Sequence, residues 1–214
     1  MLPKKQLEII LSKLKPVENP KPTLEQYTIP SDLAADILHF AYLNGDIEGK
    51  AVFDFGCGTG RLAIGALLLG AKEVFGIDSD YKVLETAEEN LHSIISGKLA
   101  VKGSIKFLQS DISDFSGKCD TVIQNPPFGI QKEHADRIFL EKALECGKRI
   151  YSLHKDGYEK TQEFITRLVE SKGGKVKQVM PYKFPIPHLF KFHDKPVKEI
   201  SVDLYVIQTE RINI

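Results

Sequence analysis

A glycine-rich turn followed by a distant aspartate is the first group of residues that could do chemistry. The turn, Asp54-Phe-Gly-Cys-Gly-Thr-Gly60, lies between an apolar stretch and a stretch with helical spacing. Glycines let the backbone approach a ligand closely, and the following helix offers free N–H groups and the positive end of its dipole. Asp78 ends the next apolar stretch, where a carboxylate can accept hydrogen bonds from both hydroxyls of a ribose. These residues predict a nucleoside cofactor.

Two details of the turn favour S-adenosyl-L-methionine over a nicotinamide cofactor. The glycines follow the pattern Gly-x-Gly-x-Gly instead of Gly-x-Gly-x-x-Gly. Asp54 precedes them, and a nearby carboxylate suits a cationic sulfonium and ammonium but not a pyrophosphate. A nicotinamide-dependent dehydrogenase and a tight turn without any ligand are the alternatives.

Asp111 follows a third apolar stretch, in Gln109-Ser-Asp-Ile112. At that place in an α/β sheet its carboxylate could accept from the adenine amine of the cofactor, and Ile112 could support the ring. An aspartate after a strand is also common as a helix N-cap, which is the alternative for this residue.

The segment Asn125-Pro-Pro-Phe128 directly follows a fourth apolar stretch and predicts the site of the methyl acceptor. The amine of adenine is a poor nucleophile, because its lone pair is delocalised into the ring. The Asn125 side-chain oxygen and the Pro126 carbonyl could each accept one amine hydrogen and direct the lone pair at the methyl group. Pro127 stiffens the turn, and Phe128 offers a face on which a base could stack. The alternative is a rigid loop with a buried phenylalanine.

Alternating strand and helix patterns predict an α/β protein with a parallel sheet and helices on both faces. The predicted strands are 51–55, 73–77, 105–108, 121–124, 149–153, 176–180 and 200–208. The predicted helices are 1–15, 33–43 with Ser31 as N-cap, 61–69, 81–95, 134–146 and 158–171. Because no helix separates the last two strands, we expect them to form an antiparallel hairpin.

The length of 214 residues predicts a single domain over 1–214. Residues 1–22 form its N-terminal helix and linker, and residues 181–199, rich in proline, lysine and aromatic residues, form a substrate-side loop. No apolar run approaches the roughly 20 residues that cross a bilayer, and no signal peptide begins the chain. We therefore expect a cytoplasmic protein without membrane contact. The three cysteines, Cys57, Cys119 and Cys146, are too widely spaced for a zinc knuckle and are expected to be buried thiols, so no metal site is predicted.

The net charge of zero hides an uneven distribution. Residues 1–21 carry a balance of +3, residues 22–150 of −6 and residues 151–214 of +3. Such asymmetry indicates different roles for different surfaces, and the alternative is that these are solvated faces.

The two motifs in this order resemble the amino-methyltransferases with a Rossmann-like class I fold of seven strands. Further segments resemble the methyltransferase-like protein five family and its archaeal relatives over most of the chain. These segments are Leu24-Glu-Gln-Tyr27, Asp120-Thr-Val-Ile123, Tyr151-Ser-Leu-His-Lys155, Lys191-Phe-His193 and Val202-Asp-Leu204.

The resemblance implies methylation of the N6 of one adenosine in small-subunit ribosomal RNA, with a small zinc-containing activator protein as partner of the eukaryotic member. It implies a catalytic tetrad of Asn125, Pro126, Pro127 and Phe128. With the turn, the implied cofactor residues are Gln26, Thr28, Asp54, Gly56, Gly58, Thr59, Gly60, Arg61, Asp78, Asp111 and Ile112. Thr59 and Arg61 differ in type from their eukaryotic counterparts, so backbone roles are expected for them.

Basic and aromatic residues late in the chain are candidates for RNA contact. They are His154, Lys155, Lys183, Lys191, His193 and Lys195, with Tyr182, Phe184, Phe190 and Phe192 interleaved. Two further hypotheses compete with RNA methylation: a protein glutamine N5-methyltransferase, and a non-catalytic RNA-binding subunit that keeps the fold. Phe128 and the lack of a separate N-terminal helical bundle disfavour the first, and intact Asn125 and Asp78 disfavour the second.

Overall fold

A computed structural model describes residues 2–18, 20–21, 25–97, 99, 101–128, 135–156, 158–187 and 197–209. Six helices and seven strands lie in these ranges. The helices are α1 (Lys4–Ser12), α2 (Ser31–Leu43), α3 (Arg61–Leu68), α4 (Tyr81–Ser96), α5 (Ala135–Cys146) and α6 (Tyr158–Ser171). The strands are β1 (Ala51–Phe55), β2 (Glu73–Asp78), β3 (Ser104–Gln109), β4 (Cys119–Gln124), β5 (Gly147–Lys155), β6 (Gly174–Pro187) and β7 (Val197–Thr209).

The seven strands form one sheet in the order β3-β2-β1-β4-β5-β7-β6. The five strands from β3 to β5 in this order, which are β3, β2, β1, β4 and β5, pair in parallel. β7 pairs antiparallel with both β5 and β6. The predicted class I methyltransferase fold, with its C-terminal antiparallel hairpin, is therefore confirmed. The strand order reverses between β1 and β4, and in open α/β sheets ligands bind at the carboxyl ends of the strands beside such a reversal.

Helices cover both faces of the sheet, because the central parallel strands are apolar on both sides. One core cluster joins α1, α2 and α3 to the sheet, and a second joins α5 and α6 to the opposite face. α2 crosses α3 closely at Gly65, where an added Cβ would lie only 2.4 Å from Leu38 Cδ1. This packing fixes the start of α3, which forms one side of the site described below.

The predicted loop over 181–199 is wrong in part, because strand structure continues through its beginning and resumes before its end. β6 runs to Pro187 and β7 starts at Val197, while residues 188–196 lie outside the described part of the chain. Pro181, Pro185 and Pro187 stand at odd-numbered positions, so their missing N–H groups fall on one side of the strand. β6 pairs only with β7 among the described strands, so prolines can be accommodated on its other side.

Smaller differences concern the N-terminal elements. α1 is shorter than the predicted helix over 1–15, and it ends at Ser12. Ser31 is the first residue of α2 instead of its N-cap, which is Pro30, and no side chain caps this helix. The three cysteines are buried and free, as predicted. Within the described residues, no helix is long and apolar enough to cross a membrane.

Candidate active site

A cavity of about 430 Å³ opens at the carboxyl ends of β1, β2 and β4. Twelve of the predicted site residues line it. They are Gln26, Thr28, Asp54, Gly56, Gly58, Thr59, Arg61, Asp78, Asp111, Ile112, Asn125 and Pro127. Gly60, Pro126 and Phe128 were also predicted to belong to the site but do not line this cavity. The fold thus brings most residues of both motifs to one place.

Two glycines of the turn serve different purposes. Gly58 lines the cavity with a φ of +53°, and an added Cβ would meet nothing within 4 Å, so its Cα faces open space. Gly60, with a φ of +81°, lies against other elements, and a Cβ there would come within 2.9 Å of the Phe107 ring and 3.2 Å of Ala87. Gly60 therefore allows α3 to pack against β3 and α4, and its predicted cofactor contact stays a prediction.

Asp54 is almost completely buried at the end of β1, with 1% of its surface exposed. Its Oδ2 accepts a hydrogen bond from the Ala63 N–H in the first turn of α3, at 2.9 Å. Its Oδ1 is buried without a hydrogen-bond partner among the described residues. Burial raises the pKa of Asp54 to about 8. Without a cation nearby, the carboxyl is thus mostly protonated at neutral pH.

Asp78 ties the turn to the end of β2. Its Oδ2 accepts from the Gly58 N–H and its Oδ1 from the Asp80 N–H, both at 2.9 Å. Burial raises the pKa of this carboxyl, and these backbone hydrogen bonds oppose the shift. Each oxygen retains acceptor capacity for a second donor, because a carboxylate oxygen can take two hydrogen bonds.

Asp111 and Ile112 form the far wall of the cavity after β3. The Asp111 Oδ1 accepts from the Ser113 N–H at 2.9 Å and from its hydroxyl at 2.7 Å, so the carboxylate shapes the turn in which it lies. Ile112 is 8% exposed and packs in the core cluster under the cavity. The N-cap-like alternative for Asp111 and its position at the cavity are therefore both compatible with the structure.

The linker between α1 and α2, described at residues 13–18, 20–21 and 25–30, is fixed to the site by polar side chains of α3 and α4. The Asn90 side chain bonds the backbone of Lys15 twice, through Oδ1 at 2.8 Å and Nδ2 at 3.1 Å. The Arg61 guanidinium donates to the carbonyls of Leu14 and Ile29. Arg61 was predicted to act only through its backbone, and these contacts show that its side chain holds the linker.

Asp80 is a second attachment point of this linker. It accepts from the Lys21 ammonium at 2.8 Å and from the Gln26 amide at 2.9 Å. Although burial by itself would raise the pKa of Asp80, these hydrogen bonds hold it below its ordinary value. The Thr28 hydroxyl accepts from the Val17 N–H at 3.1 Å. Gln26 and Thr28 thus reach the cavity as parts of the linker, and their side chains bond its earlier residues Lys21 and Val17.

The basic N-terminus pairs with the acidic middle of the chain. Lys4 contacts Asp36 at 2.5 Å, and Lys15 contacts Glu89 at 2.8 Å. Part of the positive charge at the N-terminus therefore forms ion pairs within the molecule.

Asn125 follows β4 and points one polar atom at the linker. Its Nδ2 donates to the carbonyl of Tyr27 at 3.4 Å. Asn125 lines the cavity, and its Oδ1 is buried without a hydrogen-bond partner among the described residues. A buried carbonyl oxygen without a donor is costly, so this atom is expected to serve a ligand.

The rest of the tetrad divides between cavity and core. Pro127 lines the cavity. Phe128 is only 7% exposed, and its ring packs edge-on against Phe184, with centroids 5.2 Å apart at 83°. In this conformation Phe128 offers no free face to a base, and its predicted stacking role stays a prediction. Phe184, predicted to face RNA, is instead fully buried.

Half of the cavity wall was not predicted from the sequence. The missed residues are Val17, Glu25, Tyr27, Ile29, Cys57, Leu62, Ile77, Ser79, Ser110, Ser113, Ile138 and Phe139. Several of these are direct neighbours of predicted residues and could have been found that way. Ile138 and Phe139 could not, because only the packing of α5 brings them to the cavity, where Phe139 lies beside Gly56.

Among the RNA-contact candidates, His154 is wrong in the present conformation. It is 1% exposed, and its Nε2 and Nδ1 contact Ser152 Oγ at 2.7 Å and Asp136 Oδ2 at 3.0 Å. Lys155 and Lys183 are exposed, and the Lys183 ammonium donates to Ser201 Oγ at 2.8 Å. Lys191, His193 and Lys195 lie outside the described residues.

Comparisons with known proteins identify methyltransferase relatives of this chain. The family model of the ribosomal protein L11 methyltransferase (PrmA) matches residues 40–126, which hold the glycine turn and the start of the tetrad. The rRNA N(6)-adenosine-methyltransferase Mettl5 of Drosophila melanogaster is 35% identical over 94% of both chains. Protein MJ0284 of Methanocaldococcus jannaschii is 46% identical over 97% of this chain and 95% of its own.

A solved structure has a similar fold over nearly the full length of this chain. The crystal structure of PH1948 from Pyrococcus horikoshii, titled as a candidate RNA methyltransferase, superposes with a TM-score of 0.87, 44% identity and 98% coverage of both chains. Because the similarity to Mettl5 runs through both motifs and nearly the full length, the chain belongs to the METTL5 family of rRNA N(6)-adenosine-methyltransferases.

Proposed function

We propose that this protein transfers a methyl group from S-adenosyl-L-methionine to the N6 amine of an adenine in structured RNA, with small-subunit rRNA as the substrate. The observation that carries this proposal is the Asn125 side chain. Asn125 lines the cavity, its amide nitrogen donates to the Tyr27 carbonyl, and its buried oxygen has no hydrogen-bond partner among the described residues, which leaves that oxygen as a candidate acceptor. An acceptor in that place matches an amine that has two hydrogens to donate.

The cavity suits the proposed cofactor in size and polarity. A volume of about 430 Å³ is in the range of small-molecule sites. Asp78 can accept ribose hydroxyls at β2, and Gly58 leaves its backbone accessible. The cofactor supplies an electrophilic methyl group on a sulfonium. A cation near the buried carboxyl of Asp54 would favour its ionised form, which burial disfavours.

The acceptor chemistry is mainly a matter of orientation. Hydrogen bonds from the amine to Asn125 Oδ1 and to the Pro126 carbonyl would fix the nitrogen and turn its lone pair out of the ring plane. The new N–C bond forms as the S–C bond breaks, the sulfur keeps that electron pair, and the nitrogen then loses one proton to solvent. Positioning of this kind can supply a large part of a rate enhancement.

The base must leave its stack or be unpaired to enter the cavity. Ile138 and Phe139 give the cavity an apolar wall on the side of α5, against which a flat ring could lie. Lys155 and Lys183 are exposed for phosphate contact, and Lys191, His193 and Lys195 stay predicted RNA contacts. The zinc-containing activator protein and the cytoplasmic location also stay predictions.

The test is to incubate the protein with methyl-labelled cofactor and small-subunit rRNA, and then to digest the RNA to nucleosides. Labelled N6-methyladenosine is the expected product. Large-subunit rRNA serves as the acceptor control, and Asn125→Ala serves as the protein control. The assay is run alone and with a zinc-binding activator of the family, so that a missing partner is not mistaken for a missing activity.

Other outcomes would favour the competing hypotheses. Label on a release factor added in a parallel assay, with none on RNA, would replace the proposal with glutamine methylation of protein. Cofactor binding without any methylated product, with and without the activator, would favour a non-catalytic RNA-binding subunit.

A further inference from the structure

A buried chain of hydrogen bonds runs behind the tetrad, on the α5 side of the sheet. The Gln124 amide Nε2 contacts Ser152 Oγ at 2.8 Å, and Ser152 Oγ contacts His154 Nε2 at 2.7 Å. His154 Nδ1 contacts Asp136 Oδ2 at 3.0 Å. Gln124, Ser152 and His154 are each no more than 1% exposed. None of these four side chains lines the cavity.

The direction of donation along this chain follows from its first member. The Gln124 NH₂ can only donate, so the Ser152 oxygen accepts, and the hydroxyl proton is available to His154 Nε2. An unprotonated Nε2 places the imidazole hydrogen on Nδ1, where it donates to the Asp136 carboxylate. The hydrogen bond from His154 lowers the pKa of Asp136, although burial by itself would raise it. Because a carboxylate only accepts, His154 Nδ1 carries the hydrogen of its contact with Asp136.

The two ends of the chain lie on either side of the segment that bears the tetrad. Gln124 is the last residue of β4 and directly precedes Asn125. Asp136 lies in the first turn of α5, where the described chain resumes after residues 129–134. Two residues further along α5, Ile138 begins the apolar wall of the cavity.

This placement gives the chain a specific mechanical effect. Gln124 is the partner of Ser152 in the parallel pairing of β4 with β5, so the pairing of the strands fixes the position of its side chain relative to Ser152. Fixing Gln124 limits rotation of the backbone at Asn125, and fixing Asp136 sets the start of α5. The acceptor oxygen and the apolar wall are thereby tied to the same buried imidazole.

We propose that Ser152, His154 and Asp136 are positioning residues, which hold Asn125 and the α5 wall in the geometry needed for methyl transfer. The inference rests on the proposed function, because Asn125 is taken as the residue that orients the acceptor amine. The cofactor is bound by other elements, so loss of the chain should slow catalysis and leave cofactor affinity unchanged.

The test compares variants that break the chain with variants that preserve it. Asp136→Ala and His154→Leu remove hydrogen bonds, and we expect kcat to fall about tenfold to a hundredfold. Asp136→Asn keeps an oxygen that can accept from His154, and His154→Gln keeps one acceptor and one donor. These two conservative variants should recover most of the loss. The dissociation constant of the cofactor should stay within about twofold throughout, since none of these side chains lines the cavity.

Two controls separate positioning from general instability. Tyr205→Phe removes a buried hydroxyl that has no hydrogen-bond partner among the described residues, although its ring packs edge-on against His154 at 5.5 Å. It should leave kcat unchanged. Val169→Ala truncates a buried side chain of α6 that takes no part in the hydrogen-bond chain. It serves as a destabilised variant whose kcat should stay near that of wild type.

The imidazole itself provides a readout that needs no activity. The ¹⁵N chemical shifts of His154 should report a hydrogen on Nδ1, the atom in contact with Asp136, in the full-length protein. An Nδ1 without hydrogen, an unchanged kcat in Asp136→Ala, or a loss of kcat in Val169→Ala equal to that in His154→Leu would each overturn the proposal. All rates are measured with whichever acceptor the wild-type protein methylates, so a different substrate would refute the proposed function and still test this inference.

Discussion

The glycine turn after β1 and the tetrad after β4 both end a parallel strand at the cavity, but their polar atoms are satisfied differently. On the cofactor side, Asp78 already holds Gly58 and Asp80, and Asp80 holds Lys21 and Gln26. On the acceptor side, the Asn125 oxygen is buried and has no partner among the described residues.

This difference indicates two kinds of preorganisation. The cofactor side is a preformed network in which Asp78 and Asp80 support neighbouring loops, so these residues carry both binding and structure, while Asp54 Oδ1 is left without a partner among the described residues. On the acceptor side, Asn125 is positioned by the Tyr27 carbonyl and by the hydrogen-bond chain through His154. Its Oδ1, without a partner among the described residues, can accept from the substrate. Substitutions on the two sides should therefore separate affinity from rate.

Asn125→Ala should give the largest effect, a fall in kcat of about a hundredfold or more, because the oriented acceptor of the amine is lost. Cofactor affinity, measured by calorimetry, should change less than about threefold. Asn125→Gln, which keeps the amide but moves it by one methylene, is the matched control and should lose rate as well. A loss of cofactor binding equal to the loss of rate would erase the distinction between the two sides.

Asp78→Ala should give the opposite pattern. It removes the acceptor predicted for the ribose and the hydrogen bond to the Gly58 N–H. We expect cofactor affinity to fall about tenfold to a hundredfold, in line with about 1.5–3 kcal/mol for hydrogen bonds to a charged group. The rate at saturating cofactor should fall less, and Asp78→Asn should be the milder variant. Calorimetry and initial rates on the same samples provide the check.

Asp54 allows the cofactor side to be tested through pH. Its pKa is about 8 in the folded protein against an ordinary value of 3.8, so between these values the folded chain holds a proton that the unfolded chain has released. This contribution to stability is present below the lower value and is lost as pH rises towards the upper one.

Asp54→Asn cannot ionise and should flatten that decline. Relative to wild type, its unfolding free energy should rise between about pH 5 and about pH 8 by about 1.4 kcal/mol or more, the equivalent of one pKa unit. Urea unfolding at several pH values measures the difference. Equal slopes for wild type and variant would mean that the folded carboxyl titrates as it does in the unfolded chain.

Arg61→Met should give the smallest effect of the four, a loss of about 1–2 kcal/mol in unfolding free energy, because its bonds to Leu14 and Ile29 carbonyls are lost. The linker that walls the cavity should loosen, and cofactor affinity should fall severalfold. Lys15→Ala, which breaks an exposed ion pair of the same linker, should leave the unfolding free energy nearly unchanged. Similar losses in both variants would argue against a special role for the guanidinium.

The sequence predicted the sheet because its periodicity is local. Each strand from β1 to β5 is a short apolar run beside a helix with an apolar face, and such patterns depend on near neighbours only. β6 was cut short in the prediction, since Pro181 and Pro185 disfavour a strand unless it lies at the edge of a sheet. Edge position is a property of the strand order, which the residues of one segment do not encode.

The motif residues were predictable because their chemistry depends on short spacing, but their individual roles were not. Gly60 belongs to the turn by sequence and to the packing against Phe107 by structure. Phe128 belongs to the tetrad and packs on Phe184, about fifty residues away in the chain. His154 has the composition of an RNA contact and is buried instead.

The sequence by itself determined the strand–helix order, the cofactor turn and the acceptor segment, because these follow from periodicity and from residue types at fixed spacing. Only the tertiary structure decided which atoms are satisfied and which are free. Asn125 is oriented by Tyr27, 98 residues earlier in the chain, and Arg61 holds a linker 32 and 47 residues away. Hydrogen bonds over such separations arise only when packed elements bring the partners together, and so they lie beyond any local pattern.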